Sequence, residues 1–243
     1  MYDIASIYKA ASVSDAIAAL RADPQAVVIA GGTDVLIKIR EGKLAGCRLV
    51  SIHDLSELKG ISLNAAGDVE IGPLSTFRDV TYSDVIRQSV PVLGEAADTA
   101  GGPQLRAVGT IGGNVCNGIT SADTASTLVA LEHDELLVKI VIPRANWAGW
   151  TGHYIKYAQR NAMDIATLGV SCLVKLSSDK KTAEDVRLAF GVAGPVPMRA
   201  MSAEAAVRGL SVGEAAEKIG AAALSDVNPR TSWRAAAWCP SMI

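Results

Sequence analysis

The stretch Ala26-Val-Val-Ile-Ala30 is wholly apolar, five residues long and closed at once by Gly31-Gly32-Thr33-Asp34. A run this short and this apolar reads as a strand buried on both faces, as in a parallel sheet with helices packed on it. Val35 to Glu41 then reads as a helix closed by Gly42, and Arg48 to Ile52 as the neighbouring parallel strand. Upstream, Ser12 with Asp15 three residues on is a capping-box pattern. Val13, Ile17 and Leu20 follow on one helical face, and Asp23-Pro24 stops that helix. The order helix, strand, helix, strand makes a small α/β unit whose glycines fall at a strand-to-helix turn.

From Leu55 to Phe77 the pattern changes to short strands, Gly60 to Leu63 and Val69 to Gly72, parted by the turn signal Asn64-Ala-Ala-Gly-Asp68. A helical stretch from Val85 to Asp98 leads into Gly101-Gly-Pro103, and the glycine-rich block Gly109 to Gly118 follows. Asp123 to Leu131 reads as a helix and Glu135 to Ile142 as a strand ended by Pro143. Three further strand-like runs, His153 to Gln159, Gly169 to Leu176 and Val186 to Val192, precede Ala-rich helices. The change of pattern places a domain boundary near Pro143 to Gly152.

Composition narrows the function. The 243 residues are 49% hydrophobic and 20% charged, with 23 basic against 25 acidic side chains. That excludes a disordered chain, and no basic stripe marks a nucleic-acid binder. Aromatic residues make up only 5%, so Ala, Val, Ile and Leu must build the core. The longest uncharged run, Ala107 to Ala122, is full of Gly, Asn, Thr and Ser, a poor membrane span. The N-terminus shows no basic and apolar leader pattern, and a cytoplasmic location is expected. Cys47, Cys116, Cys172 and Cys239 are scattered with no Cys-x-x-Cys pair, which fits neither a zinc site nor an iron–sulfur cluster of the chain's own. His53, His133 and His153 show no ligand spacing, so no metal site is expected.

Two segments carry the chemistry, Ala30-Gly-Gly-Thr-Asp34 and Gly109-Thr-Ile-Gly-Gly-Asn114. A Gly pair lets backbone approach a ligand and aims successive N–H groups at one anion. Thr33 and Thr110 add hydroxyl donors, and two such loops facing each other suit a pyrophosphate. Neither continues as Gly-Lys-Ser/Thr and neither matches G-x-G-x-x-G, so both common nucleotide fingerprints are absent. On residue chemistry alone, a phosphate or nucleotide site and a pair of plain turns both remain open.

The ordered motifs together resemble a known family, the FAD-binding subunits of bacterial molybdenum hydroxylases (the xanthine dehydrogenase family), and most nearly its xanthine dehydrogenase branch. They are Val28-Ile-Ala-Gly-Gly-Thr-Asp34, Gly101-Gly-Pro-Gln-Leu-Arg106, Gly109-Thr-Ile-Gly-Gly-Asn114 with Ser121-Ala-Asp123, and Asp134-Glu-Leu-Leu137. Lys156 to Ala166, Leu188 to Pro197 and Pro229 to Arg234 continue the series. The resemblance implies an α+β (mixed α/β) chain. A split FAD-binding domain of the PCMH type occupies residues 1–147, as subdomains of about 1–54 and 55–147. A smaller α+β domain like the CO dehydrogenase flavoprotein C-terminal domain takes 148–243 and reads as truncated.

The resemblance also implies the site. Val28, Ile29, Ala30, Gly31, Gly32, Thr33 and Asp34, with Thr110, Gly112, Gly113 and Asn114, are expected at the FAD pyrophosphate. Asp123 is expected at the flavin and its ribityl chain, and Leu137 and Lys156 beside the isoalloxazine. No catalytic residue is expected on this chain, since the flavin carries the chemistry. Electrons would come from an iron–sulfur subunit, with a molybdopterin-binding subunit oxidising a substrate, a purine such as xanthine, and NAD as the acceptor. Two departures stand out. Leu131-Glu-His-Asp134 directly joins a helix and strand that the family separates by further strands, and the end after Arg234 differs from the family's closing helix. The internal shortening leaves a second reading open, a flavin-free structural subunit of such a complex.

Overall fold

The computed structural model describes residues 2–119, 121–122 and 136–231. Its first unit is a three-stranded parallel sheet of β1 (Ile4–Lys9), β2 (Val27–Ile29) and β3 (Cys47–Ser51), in the order β1-β3-β2. Helix α1 (Val13–Ala22) carries the chain past β3 from one edge to the other, and α2 (Val35–Arg40) returns it to the middle. Ser12 accepts from the Asp15 amide, as the capping pattern predicts. The reciprocal bond is absent: the Asp15 carboxylate takes the Ala11 amide and the Tyr8 hydroxyl instead, each at 2.8 Å.

Two expectations are corrected here. Strand β1 escaped the pattern because every residue after Ile4 is exposed, leaving no buried face to print a period on the sequence. It exists through its parallel pairing with β3. Strand β2 is half-buried at the sheet edge, not buried on both faces. A sheet of three strands has one interior place, and β3 takes it with Leu49 and Val50 buried.

The second unit is an antiparallel sheet, β4 (Ile61–Leu63), β5 (Val69–Ile71) and β6 (Ile140–Ile142), in that order. Asn64 folds the hairpin turn by accepting from the amides of Ala66 and Asp68, both at 2.9 Å. Against the sheet pack α3 (Phe77–Tyr82), α4 (Asp84–Ser89) and α5 (Pro91–Asp98), followed by α6 (Pro103–Arg106) and α7 (Ile111–Cys116). Their shared core includes Val69, Ile71, Phe77, Val80, Ile86, Leu93 and Ile111. The single helix expected over Val85 to Asp98 is split at Val90, because Pro91 has no N–H to continue it and drives the preceding residue out of helical backbone. The strand expected from Glu135 is regular only over Ile140–Ile142; Leu137 precedes it, half-buried against the same core.

The third unit is a four-stranded antiparallel sheet, β7 (Trp150–Tyr157), β8 (Leu168–Leu176), β9 (Ala183–Gly191) and β10 (Met198–Arg199), in the order β10-β9-β8-β7. Helices α8 (Met201–Val207) and α9 (Val212–Ala223) bury Ala203, Val207, Ala215 and Ala223 against it, a core as poor in aromatics as the composition requires. Glu204 is buried yet satisfied, accepting from the Leu188 amide at 3.0 Å and from two N–H groups of Arg199. This sheet is tied to the second unit through α5. The Glu95 carboxylate accepts from the Tyr154 amide at 2.8 Å, and His153 Nδ1 lies equally near it. The helix expected over Asp123 to Leu131 and the residues beyond Thr231 lie outside the described residues.

Candidate functional site

The chain leaves β2 through Ala30 and turns over Gly31-Gly32 into α2. A Cβ on Gly31 would stand 1.9 Å from the carbonyl oxygen of Val108 and 3.3 Å from the Cα of Gly109. The first glycine segment therefore lies backbone against backbone on the approach to α7, and the two segments the sequence singled out are neighbours. Gly32 takes φ +74°, a left-handed conformation that side chains rarely adopt. Among the described residues, the amides of Gly31, Gly32, Thr33 and Asp34 donate to no protein group. Gly32 is buried and the other three are half-buried, so these donors are only partly open to water. Successive amides without acceptors, partly shielded, form a cradle for an anion.

The second segment is not the loop that was expected. Thr110 caps α7, and the helix's first turn runs through Ile111-Gly112-Gly113-Asn114. Its amides are engaged: Ile111 to the Ser75 carbonyl, Gly112 to the Pro73 carbonyl, Gly113 to Thr110 Oγ1 and Asn114 to the Thr110 carbonyl, all between 2.9 and 3.1 Å. Of the residues expected at the pyrophosphate, Gly112, Gly113 and Asn114 thus have their amides engaged within the protein in this structure. What α7 offers instead is a bare surface. Gly112 is buried, and a Cβ there would sit 2.5 Å from Pro73, so packing within the protein demands it. Gly113 is exposed, and a Cβ there would meet only Thr110 Oγ1, at 2.9 Å. Among the described residues, nothing apart from that cap calls for glycine at 113, so its face is open.

Two more motifs meet nearby. Gly101 takes φ +54° under the Leu105 side chain, and a Cβ on Gly102 would lie 2.9 Å from Met163. The segment after β7 thus folds over the Gly101-Gly102 pair, with the Met163 amide 3.4 Å from the Gly101 carbonyl. Lys156 stands next to last in β7, within the strand expected over His153 to Gln159, and donates to the Thr99 carbonyl at 2.9 Å. Burial pushes the Asp164 carboxyl up, but the amides of Ile165 and Arg160 and the Arg160 guanidinium together hold it below the usual carboxylate range. Arg160 and Asp164 thereby brace this segment. Val28 and Ile29 lie in β2, leading into the cradle, and Leu137 lies beside the second core. Asp123 is outside the described residues. Val108 and Pro73, whose carbonyls shape the site, carry no sequence signal, because backbone acceptors are shared by all residue types.

Comparison with known proteins bears on the same segments. Residues 3–134 match the FAD binding domain in molybdopterin dehydrogenase, and residues 153–238 match the CO dehydrogenase flavoprotein C-terminal domain. The chain is similar to the xanthine dehydrogenase FAD-binding subunit of Escherichia coli O157:H7, at 38% identity over 265 residues, covering 97% of this chain and 90% of that one. The alignment is longer than the 243 residues present here, so gaps open on this chain's side. It is also similar to the glyceraldehyde dehydrogenase medium chain of Sulfolobus acidocaldarius, at 27% identity, covering 96% and 92% of the two chains. Its fold is shared with a chain of the Cu,Mo-CO dehydrogenase in its cyanide-inactivated form. The TM-score is 0.88 over 98% of this chain and 92% of that one, at 23% identity. With both domains matched and a relative of that identity aligned along nearly the whole chain, the protein belongs to the FAD-binding subunits of xanthine dehydrogenase-like molybdenum hydroxylases.

Proposed function

We propose that the amides of Gly31 to Asp34 hold the pyrophosphate of FAD, with the bare face of Gly113 closing the other side. The observation that carries this reading is the set of four neighbouring amides without acceptors among the described residues, set against an exposed glycine whose added Cβ would meet only Thr110 Oγ1 there. Such donors, fixed before the ligand arrives, hold an anion without reorganisation. The Asp34 carboxylate, half-buried and with no partner among the described residues, suits a sugar hydroxyl and would repel a phosphate. Thr33 and Asn114 border the cradle with polar side chains. Leu137 and Lys156 are proposed at the isoalloxazine end, and Asp123 at the ribityl chain.

Bound FAD supplies the redox chemistry, which we place between an iron–sulfur cluster on one partner subunit and NAD as acceptor. A molybdopterin-binding subunit would oxidise the substrate, with xanthine or a related purine favoured by the similarity to xanthine dehydrogenase FAD-binding subunits. This chain's own share is to bind and orient the cofactor and to exclude water from it. The division into residues 1–147 and 148–243 belongs to the same proposal, supported by the change from the second sheet to the third between β6 and β7. So does a cytoplasmic location: Cys47, Cys116 and Cys172 are free thiols, the state favoured in reducing compartments.

Co-expression with the partner subunits, followed by the visible spectrum of the purified complex, tests the reading. The expected result is a flavin spectrum, with NADH formed when xanthine and NAD are added. A complex that assembles but carries no FAD overturns the site. A flavin-bearing complex that reduces oxygen and not NAD overturns the acceptor alone.

A further inference from the structure

The two glycine-bearing segments meet at a second place, 79 residues apart in sequence. Lys38, in α2, donates from Nζ to Oδ1 of Asn117, the residue that ends α7, at 3.0 Å. Both side chains are half-buried. Before α2 begins, the Gly31 backbone rests on the Val108 carbonyl just ahead of α7. One contact sets how near two segments come, but a second, displaced along both, is needed to fix the angle between them. Ile39 and Val115 are buried, but the other residues flanking the Lys38–Asn117 contact are more open. Ile37 beside Lys38 is 43% exposed, and Cys116 and Gly118 on either side of Asn117 are exposed. Among the described residues, the lysine–amide bond is the side-chain hydrogen bond that joins the segments there.

We propose that Lys38 is a positioning residue for the dinucleotide. Through Asn117 it holds the amides of Gly31 to Asp34 at the separation from Gly113 that the pyrophosphate requires. The inference rests on the reading of the site above, and it adds a residue that lies outside both Gly pairs. The charge alone does not account for the arrangement, because a lysine attracting a phosphate by its field needs no amide partner across the gap. The geometry makes Asn117 as important as Lys38.

The test uses the full chain in its complex, stripped of flavin, with FAD affinity read by the quenching of flavin fluorescence. Lys38→Met and Asn117→Leu are each expected to raise the Kd for FAD about tenfold, as loss of a charged hydrogen bond does. The double variant should be no weaker than either single one, since both remove one interaction. Lys38→Arg, which keeps a donor and a charge, should restore most of the affinity. The same losses should appear with ADP as probe, because the pyrophosphate end is what Lys38 positions. The unfolding midpoint of the flavin-free complex should move little in any of these variants. The proposal fails if Asn117→Leu binds FAD as tightly as the parent. It fails equally if the two losses multiply, or if they follow a matching loss of stability. A parent complex that takes up no FAD is a different result: it removes the site itself, and the positioning role with it.

Discussion

A side chain at position 31 would put its Cβ 1.9 Å from the Val108 carbonyl oxygen, far inside the contact distance of any unbonded pair. Gly31→Ala is therefore expected to push the first unit off the second and to cost about 1–3 kcal/mol, the usual range for overpacking. Urea unfolding of the flavin-free protein measures it, and an unchanged midpoint would show that the two segments separate freely. Gly113→Val makes the opposite case. Its Cβ strains one helix cap, at a cost of about 1 kcal/mol, while its methyl groups fill the exposed face. A flavin titration should show FAD affinity falling by more than about a hundredfold, or ~2.7 kcal/mol, in a protein that still folds. In the sequence these two positions read alike, each as one member of a Gly pair expected at the pyrophosphate. What separates them is whether another part of the chain lies where the side chain would go, and that neighbour at position 31 is some seventy-seven residues away.

At the scale of elements, α7 shows how tertiary acceptors make a helix from an unpromising string. Ile-Gly-Gly-Asn-Val-Cys contains two glycines, each about 1 kcal/mol less favourable than alanine in a helix. The helix forms because Thr110 caps it and the carbonyls of Ser75 and Pro73 take the amides of Ile111 and Gly112. Thr110→Ala is expected to cost about 1 kcal/mol, a fall of roughly 2–4 °C in the thermal midpoint, which calorimetry can follow. No shift at all would mean that the two carbonyls hold the helix without its cap. The same logic explains what was and was not readable. Helix α1 announces itself through Ser12 and its apolar stripe, and the β4–β5 hairpin through Asn64, because those signals act within a few residues. Strand β1 has no such signal, being an exposed edge defined by its pairing with β3. The break between α4 and α5 was present in the text as Pro91, but the apolar period on either side masked it.

Across the whole molecule, carboxylates tie elements together within each unit, and that sets the response to acid. The amide of Arg144 and the Asn64 side chain hold Asp68 below the usual carboxylate range, and the Lys139 ammonium, ahead of Asn64, does the same for Glu70. Both bind the segment around β6 to the β4–β5 hairpin. The Arg48 guanidinium lowers Asp23, and the Ser202 hydroxyl, with the Ala203 amide, both at the start of α8, lowers Asp226, which follows α9. Because each pKa is lower folded than unfolded, the unfolded chain binds more protons in acid. The stabilisation is complete above the ordinary carboxylate range, about pH 4, and is lost as the pH falls through the folded values. The urea midpoint should therefore be flat from neutrality to about pH 5 and should drop below about pH 4. Asp68→Asn should make that acid limb shallower. A limb of unchanged steepness would remove Asp68 from the account. The sequence by itself determined the kind of protein this is: the order of its glycine, turn and strand motifs, its aromatic-poor core and its family, all carried by local patterns. Only the tertiary structure decided which backbone amides remain available to a ligand. An N–H group is free or engaged according to the acceptor that faces it, and for α7 those acceptors come from Pro73 and Ser75, on a distant stretch of chain.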